Sequence, residues 1–374
     1  MSSDPLTIVH LAANRWWTGS ADPVIRLIAG LRARGHTVRL GVVPGDRFEA
    51  KAREAGLDLI DGLALDTGVA PFAALSDVRR LAKLVRAERV DVIHAHHSHD
   101  HWLACVTAAV AGGRAAPHVV RTFHNRRSVN RGRGSRWLYR RTSAVFAVSR
   151  QIEARARDVG IPPERVHWTP GAADLPRFSP SADPRPIRDE FKLGDAPVVV
   201  TVSRLAANRG HELLLSGFRR LLADLPAARL LLVGKGEMRT RLEQLVADLG
   251  LTDHVVFTGY RDRDLPDVLG AADCFALMGA GSVESCRAAL EVMAAGRPVV
   301  ARRVGALPDT VVHGETGMLV GEDRAESVAA ALADVLANRD RARAMGLAGR
   351  RRAEDVFGPE RSVALVERVY RSLG

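Results

Sequence analysis

The chain has 374 residues, 47% of them hydrophobic and 26% charged, and a formal net charge of +11. The length exceeds what one compact core usually holds, so two domains are expected, and the positive balance calls for an anionic partner. No apolar run approaches the roughly 20 residues of a membrane-spanning helix. No basic segment leads into an apolar one at the start, and Cys105, Cys274 and Cys286 are too scattered for a zinc site or a disulfide framework, so a cytoplasmic protein without a signal peptide is expected.

In chain order, residues 6–12 read as a buried strand, 23–34 as a helix with apolar Val24, Ile25, Leu27, Ile28 and Leu31, and 37–43 as a second strand. Helix 76–87 precedes strand 90–94, and helix 101–111 precedes strand 118–123. Strand 144–148 and a helix after Ser149 close this series. Residues 176–186 break the pattern, with Pro176, Pro180, Pro184 and Pro186 in a linker-like setting. A second series then begins. Strands are expected at 197–202, 229–233, 255–258, 274–277 and 298–301, separated by helices at 210–222, 238–248, 265–271 and 285–295. Strands alternating with helices in this way predict an α/β chain of two doubly wound domains, each with a parallel sheet. Ligands of such sheets lie beyond the carboxyl ends of the strands.

Two segments at strand ends carry chemistry. Residues 202–212 leave a strand and enter a helix, with Arg204 and Arg209 on the connecting loop. Two guanidiniums beside the positive end of a helix suit a diphosphate, although a solvated loop with two surface arginines is the plainer alternative. Residues 282–300 read as a polar loop, a helix bearing Glu291, a stop at Gly296 and a buried strand. Glu291 can accept hydrogen bonds from a ribose diol; the alternative is a carboxylate paired with a neighbour such as Arg297.

These two segments together resemble the C-terminal domain of family 4 glycosyltransferases. The resemblance extends through Gly35-His36-Thr37-Val38, Asp91-Val92-Ile93-His94-Ala95-His96, the stretch from Asp174 to Pro180, and the stretch from Gly314 to Val320. It implies a GT-B fold, with two Rossmann-like domains facing across a cleft. It also implies a retaining, hexosyltransferase-like enzyme that uses a nucleoside-diphosphate sugar without a metal or other cofactor. Residues 1–182 would form an acceptor-binding domain and 183–358 a donor-binding domain, with a last helix at 359–374 packing back on the first.

By position in the resemblance, Arg204 and Arg209 hold the donor phosphates, the family having lysine where Arg209 stands. Glu291 binds the donor ribose. The backbone of Gly259, Tyr260 and Arg261 meets the base, and Gly19 and Ser20 approach the phosphate. The backbone around Ser285 and Cys286 is expected to meet the sugar hydroxyls. The family also carries a glutamate eight residues before the one matched by Glu291. Val283 stands there, with Glu284 one place along as its candidate replacement. That departure motivates the alternative of a weakened or inactive sugar-nucleotide-binding protein. His124 matches the histidine beside the anomeric carbon, where a polar group stabilises positive charge developing on the sugar ring.

The run His94, His96, His97, His99, Asp100 and His101 invites a metal reading, but its spacing fits no ligand set, and a place on the acceptor side is expected instead. Eight arginines stand between Arg121 and Arg141, among them Arg126, Arg127, Arg131 and Arg133, with no acidic residue and with Trp137 interleaved. They read either as a solvated basic loop or as a surface for an anionic acceptor or an acidic leaflet. Trp16 and Trp17 are candidates for an aromatic wall beside the acceptor. A glycan or lipid-linked acceptor, in polysaccharide or lipopolysaccharide biosynthesis, and peripheral contact with an anionic membrane are therefore expected. Nucleic acid is not, since no recognition motif accompanies the basic residues. Two chain crossings make a hinge, so adding a nucleoside diphosphate is expected to reduce interdomain flexibility, measured as a smaller radius of gyration in solution scattering.

Overall fold

The computed structural model describes residues 4–13, 21–65, 71–113, 116–279 and 286–374. The chain divides into two compact units, residues 1–171 with 359–374, and residues 172–358. The first unit runs β1 Thr7–Ala12, α1 Ala21–Ala33, β2 Thr37–Val42, α2 Arg47–Glu54, β3 Asp58–Leu59, α3 Pro71–Glu88, β4 Val92–Ala95 and α4 Ser98–Ala111. It continues with β5 His118–Phe123, α5 Arg133–Arg140, β6 Ala144–Ala147, α6 Arg150–Asp158 and β7 Val166–Trp168. Its sheet has the order β3-β2-β1-β4-β5-β6-β7, with every pairing parallel.

The second unit runs α7 Arg185–Glu190, β8 Val198–Val202, α8 His211–Leu221, β9 Arg229–Val233, α9 Arg239–Asp248, β10 Val255–Gly259 and α10 Leu265–Gly270. It continues with β11 Cys274–Leu277, α11 Arg287–Ala294, β12 Val299–Arg302, α12 Leu307–Thr310, β13 Gly317–Val320, α13 Ala325–Leu336 and α14 Arg339–Phe357. Its parallel sheet follows the same winding, β10-β9-β8-β11-β12-β13. Apolar strands such as β8 and β9 are buried on both faces because helices cover both sides, as a parallel sheet requires. In each sheet the strand order reverses once, between β1 and β4 and between β8 and β11. Those switch points are where a doubly wound sheet takes its ligand.

The boundary between the units falls at 171/172, ahead of the expected 182/183. The proline-rich segment is anchored by Phe178, which is buried in the core of the second unit, and its last proline, Pro186, lies in the first turn of α7. The arginine-rich stretch is likewise more than a solvated loop. Arg121 lies in β5, residues 126–128 form a single 3-10 turn, and α5 is anchored by Tyr139. The Tyr139 hydroxyl donates to the Asn130 carbonyl at 3.1 Å and accepts from the Asn130 N–H at 3.0 Å.

The last helix, α15 Pro359–Arg371, returns to the first unit. It lays Val363, Val366, Val369 and Tyr370 into the core formed by β1, α1 and β2, and Glu367 pairs with Arg34 at 2.9 Å. The buried Tyr370 hydroxyl meets Nδ1 of His94 in β4. Replacing Tyr370 with phenylalanine leaves that buried nitrogen unpartnered. The Tyr370→Phe variant is therefore expected to lose about 1–3 kcal/mol, read from denaturant midpoints at unchanged slope.

Candidate active site

The second unit builds its site where the loops after β8, β9 and β11 converge. Ser203 N–H donates to the Val233 carbonyl at 3.0 Å, and Leu205 N–H to the Lys235 carbonyl at 3.0 Å, so the first two loops run side by side. The approach leaves no room for a side chain at Gly234, whose φ is 147° and whose added Cβ would overlap the Ser203 carbonyl oxygen. After β11, a Cβ on Gly279 would stand 2.6 Å from the Arg209 carbonyl oxygen. The loop that carries Arg204 and Arg209 is thus clamped between its two neighbours and leads directly into α8.

Arg204 is exposed and its Nη2 donates to Glu237 at 2.9 Å. Arg209 is half-buried and forms no hydrogen bond or ion pair among the described residues. Its pKa is lowered first by burial and then by the charge of Arg204. Two guanidiniums that repel each other at a helix N-terminus form a site that an anion relieves. His211, at the first position of α8, is held by a 2.9 Å hydrogen bond between its Nε2 and Ser203 Oγ, and burial lowers its pKa to about 4.

Glu291 lies on α11 and is only 7% exposed. Its partner is Arg287, one turn earlier, through Nε to Oε1 at 2.7 Å. Arg297, the partner that sequence suggests, instead donates to the Gly270 carbonyl. Burial raises the Glu291 pKa against the opposing pull of Arg287. Cys286 caps α11 in a left-handed conformation, φ 47°, and burial pushes its thiol up to about 12. Gly259 ends β10 with φ 75°, and Tyr260 stands exposed beyond it. The Arg261 guanidinium is taken by Glu190 and Asp264 and lies over the Phe191 ring. Only the backbone around Arg261 is left for a ligand. Trp16, Trp17, Gly19, Ser20, Val283, Glu284 and Ser285 lie outside the described residues.

In the first unit, β1 and β4 place His10 opposite His94 in register at the switch point, with His96 just beyond. His10 Nδ1 meets His96 Nε2 at 3.0 Å, and His96 Nδ1 meets His124 Nε2 at 3.2 Å. His94 uses its remaining nitrogen on Thr122 Oγ1 at 2.7 Å. His10, His94 and His96 bring nitrogens within 4.8 Å of one another, the distance range of a metal site. Five of their six ring nitrogens already have protein partners, and only His10 Nε2 has none. A metal needs free lone pairs converging on one point, so it would have to displace some of these hydrogen bonds. The rest of the run serves α4. Asp100 accepts from the Ala13 and His97 N–H groups, and His101 Nε2 bonds Thr142 Oγ1.

His124, at the end of β5, lines an open pocket of about 230 Å³ with His96, His97, Ser98, Arg121, Asn125, Arg127 and Ser128. Burial and the charges of neighbouring groups lower its pKa to about 3. Arg126, Arg127, Arg131 and Arg133 are exposed, as is Arg136, and Arg141 stacks over Trp137 at 4.2 Å. Lys235, Glu237 and Arg287 were not anticipated. A Gly-x-Gly spacing after a strand, Gly234 and Gly236, was the available signal for the first two.

Two doubly wound sheets of the same strand order, each with polar residues gathered at its carboxyl edge, define the GT-B class of fold. Solved structures agree. A glycosyltransferase from Rickettsia africae superposes with a TM-score of 0.87 over 99% of both chains at 19% identity. Anabaena Alr3699/HepE in complex with UDP and glucose gives 0.79 over 98% of this chain and 100% of that one at 20% identity. The Glycosyltransferase Family 4 model matches residues 18–177 and the Glycosyl transferases group 1 model matches residues 184–352. The chain belongs to the family 4 glycosyltransferases. Among curated relatives, a GDP-mannose-dependent alpha-(1-6)-phosphatidylinositol monomannoside mannosyltransferase of Mycolicibacterium smegmatis is 38% identical over 56% of this chain and 57% of its own length. A D-inositol 3-phosphate glycosyltransferase of Geodermatophilus obscurus is 31% identical over 75% and 66%. The chain therefore spans little more than half the length of the first of these.

The histidines His10, His94, His96 and half-buried His124 give the first unit an acid limit. His10 and His124 have pKa values lowered to about 3, and His94 and His96 lie well below their ordinary value. An unfolded histidine protonates near 6.5, so below that pH the unfolded chain binds more protons than the folded one and stability falls. Each such group contributes a slope of up to about 1.4 kcal/mol per pH unit. Thermal melts should lose midpoint steeply from pH 6.5 towards 4 and be flat from 7 to 8. The His10→Phe variant should show a shallower acid slope.

Proposed function

We propose that this protein is a retaining glycosyltransferase that moves a hexose from a nucleoside-diphosphate sugar to a glycan or lipid-linked acceptor. The second unit would hold the donor and the first unit the acceptor. The observation that carries this reading is the pairing of Arg204 with Arg209 on a loop clamped at the switch point, ahead of the α8 N-terminus. Breaking the glycosidic bond leaves a diphosphate, and pre-placed guanidiniums and backbone N–H groups neutralise that charge as it develops. Glu291 would accept from the ribose hydroxyls, and Arg287 orients its carboxylate.

His124 acts as a neutral imidazole in this scheme. Its lowered pKa keeps it uncharged at neutral pH, so it presents a dipole, and not a repelling cation, to the positive charge forming on the sugar ring. In front-face transfer the acceptor hydroxyl attacks from the side the diphosphate leaves, and a phosphate oxygen takes the proton. No step in this scheme is routed through a metal.

GDP-mannose is the first donor to test, since it is named for relatives 38% and 37% identical to this chain. In a thermal-shift screen of nucleoside diphosphates and their sugars, the true donor raises the melting temperature most. The Glu291→Ala variant should lose at least tenfold in donor affinity and abolish transfer while keeping its fold. A screen without any stabilising nucleotide would overturn the assignment. Binding without transfer or hydrolysis would instead favour the inactive form suggested by Val283.

The lipid-linked acceptor and peripheral membrane contact are supported by α5 and the turn before it, where Arg127, Arg131, Arg133, Arg136 and Arg140 are exposed beside Trp137. Each arginine near an anionic leaflet contributes about 1 kcal/mol. Among the described residues no helix is long and apolar enough to cross a membrane, so any contact through them would be made at the surface. Flotation with anionic liposomes should carry the protein upward at low salt and release it at high salt.

A further inference from the structure

Arg121 is among the largest fully buried side chains of the protein, 1% exposed, and its Nε and Nη1 have no hydrogen-bond partner. Its burial is unusual, because a guanidinium taken from water is costly unless a carboxylate or a full set of acceptors meets it. Asp100 is the nearby acid and its charge works against the lowering by burial, but its hydrogen bonds go to the N–H groups of Ala13 and His97 and not to the guanidinium. Among the described residues no carboxylate lies within ion-pair distance of Arg121. Burial lowers the Arg121 pKa only to about 10, so the side chain stays charged at neutral pH.

What Arg121 does face is the 230 Å³ pocket that also contains His97, Ser98, Arg127 and Ser128. His97 Nε2 is a second buried polar atom without a partner, and it lines the same pocket. Ser98 is the first residue of the 14-residue helix α4, so the pocket lies at the positive end of that dipole. A buried unpaired cation, an unpartnered imidazole nitrogen and a helix N-terminus thus meet in one concavity, with exposed Arg127 at its rim.

We propose that this pocket is an anion site of the first unit that takes a phosphate group, with Arg121 as its central ligand and His97 and the α4 N-terminus as supports. A phosphate oxygen would accept from Arg121 Nε or Nη1, giving the guanidinium the hydrogen-bond acceptor that its surroundings lack. In the transferase reading, on which the identity of the carrier molecule rests, the phosphate belongs to the acceptor. His124 on the pocket wall then places the phosphate close to where the acceptor hydroxyl must react. The donor diphosphate has its own arginines in the other unit, so the two anions need not compete.

The test uses the full-length chain with inorganic phosphate, and with glucose 6-phosphate against glucose, at constant ionic strength set with chloride. Binding is followed by calorimetry and by melting temperature, with and without saturating nucleoside diphosphate. Both phosphates should bind and raise the melting temperature of the wild type, and glucose should not. Saturating nucleotide should leave the phosphate affinity within threefold. The Arg121→Met variant should bind phosphate at least tenfold more weakly while keeping its nucleotide affinity, and Arg121→Lys should recover part of the loss. Should the buried methionine prevent folding, His97→Phe provides the second variant, with a loss of at least threefold expected. Displacement of phosphate by nucleotide would overturn the proposal by assigning the anion to the donor site. Equal phosphate binding by wild type and variants, or none by the wild type, would also overturn it. Retained nucleotide binding in the last case would leave the transferase reading standing.

Discussion

The candidate donor site depends on backbone packed against backbone. At Gly234 and Gly279 a side chain would occupy the space of a neighbouring loop, and the loop bearing Arg204 and Arg209 is held between those two contacts. Arginine side chains are long and lose much rotamer freedom when fixed, so their bases must be placed by something rigid. The loop is short, it grows from the buried strand β8, and it runs straight into α8. Each of these features limits where the two guanidiniums can go. The charge that suits a diphosphate is therefore set by packing as much as by the arginines themselves.

The first unit solves a different problem, that of placing polar rings inside a parallel sheet. His10 and His94 occupy neighbouring central strands, where an apolar residue is the usual choice. They are tolerated because each ring makes a hydrogen bond, His94 to Tyr370 and Thr122, and His10 through His96 to His124, the two sets meeting where the rings of His94 and His96 stack. Tyr370 comes from the last helix of the chain, 276 residues from His94. The carboxyl-terminal segment is thus part of the support beneath the candidate catalytic histidine, besides completing the core. Arg121 stands out against this ordered row, because its neighbours leave two of its N–H groups without an acceptor.

Much of the architecture was legible beforehand. The alternation of apolar runs and amphipathic helices located most strands to within a residue or two, since burial on both faces demands continuous Val, Leu and Ile. Several elements were not anticipated. β3 has two residues and β7 three, too short for a periodic signal. The arginine-rich stretch hid α5 because charge dominates its composition and only Tyr139 anchors it. The prolines of residues 176–186 suggested a free linker, yet Phe178 anchors the segment in the core. Glu291 was recognised as half-hidden on its helix, but its partner was misjudged. An i,i+4 arginine reaches it at lower conformational cost than one beyond a glycine stop.

By itself, the sequence determined the two doubly wound domains, the family and the residue types at the strand ends, because hydrophobic period and motif order are local properties of the chain. Only the tertiary structure decided which polar groups have partners. It gave hydrogen-bond partners to most nitrogens of a histidine run that invited a metal, tied Arg204 to Glu237, and left two buried N–H groups of Arg121 without an acceptor. Pairing depends on residues far apart in the chain arriving within about 3 Å of one another, a distance that no spacing along the sequence encodes.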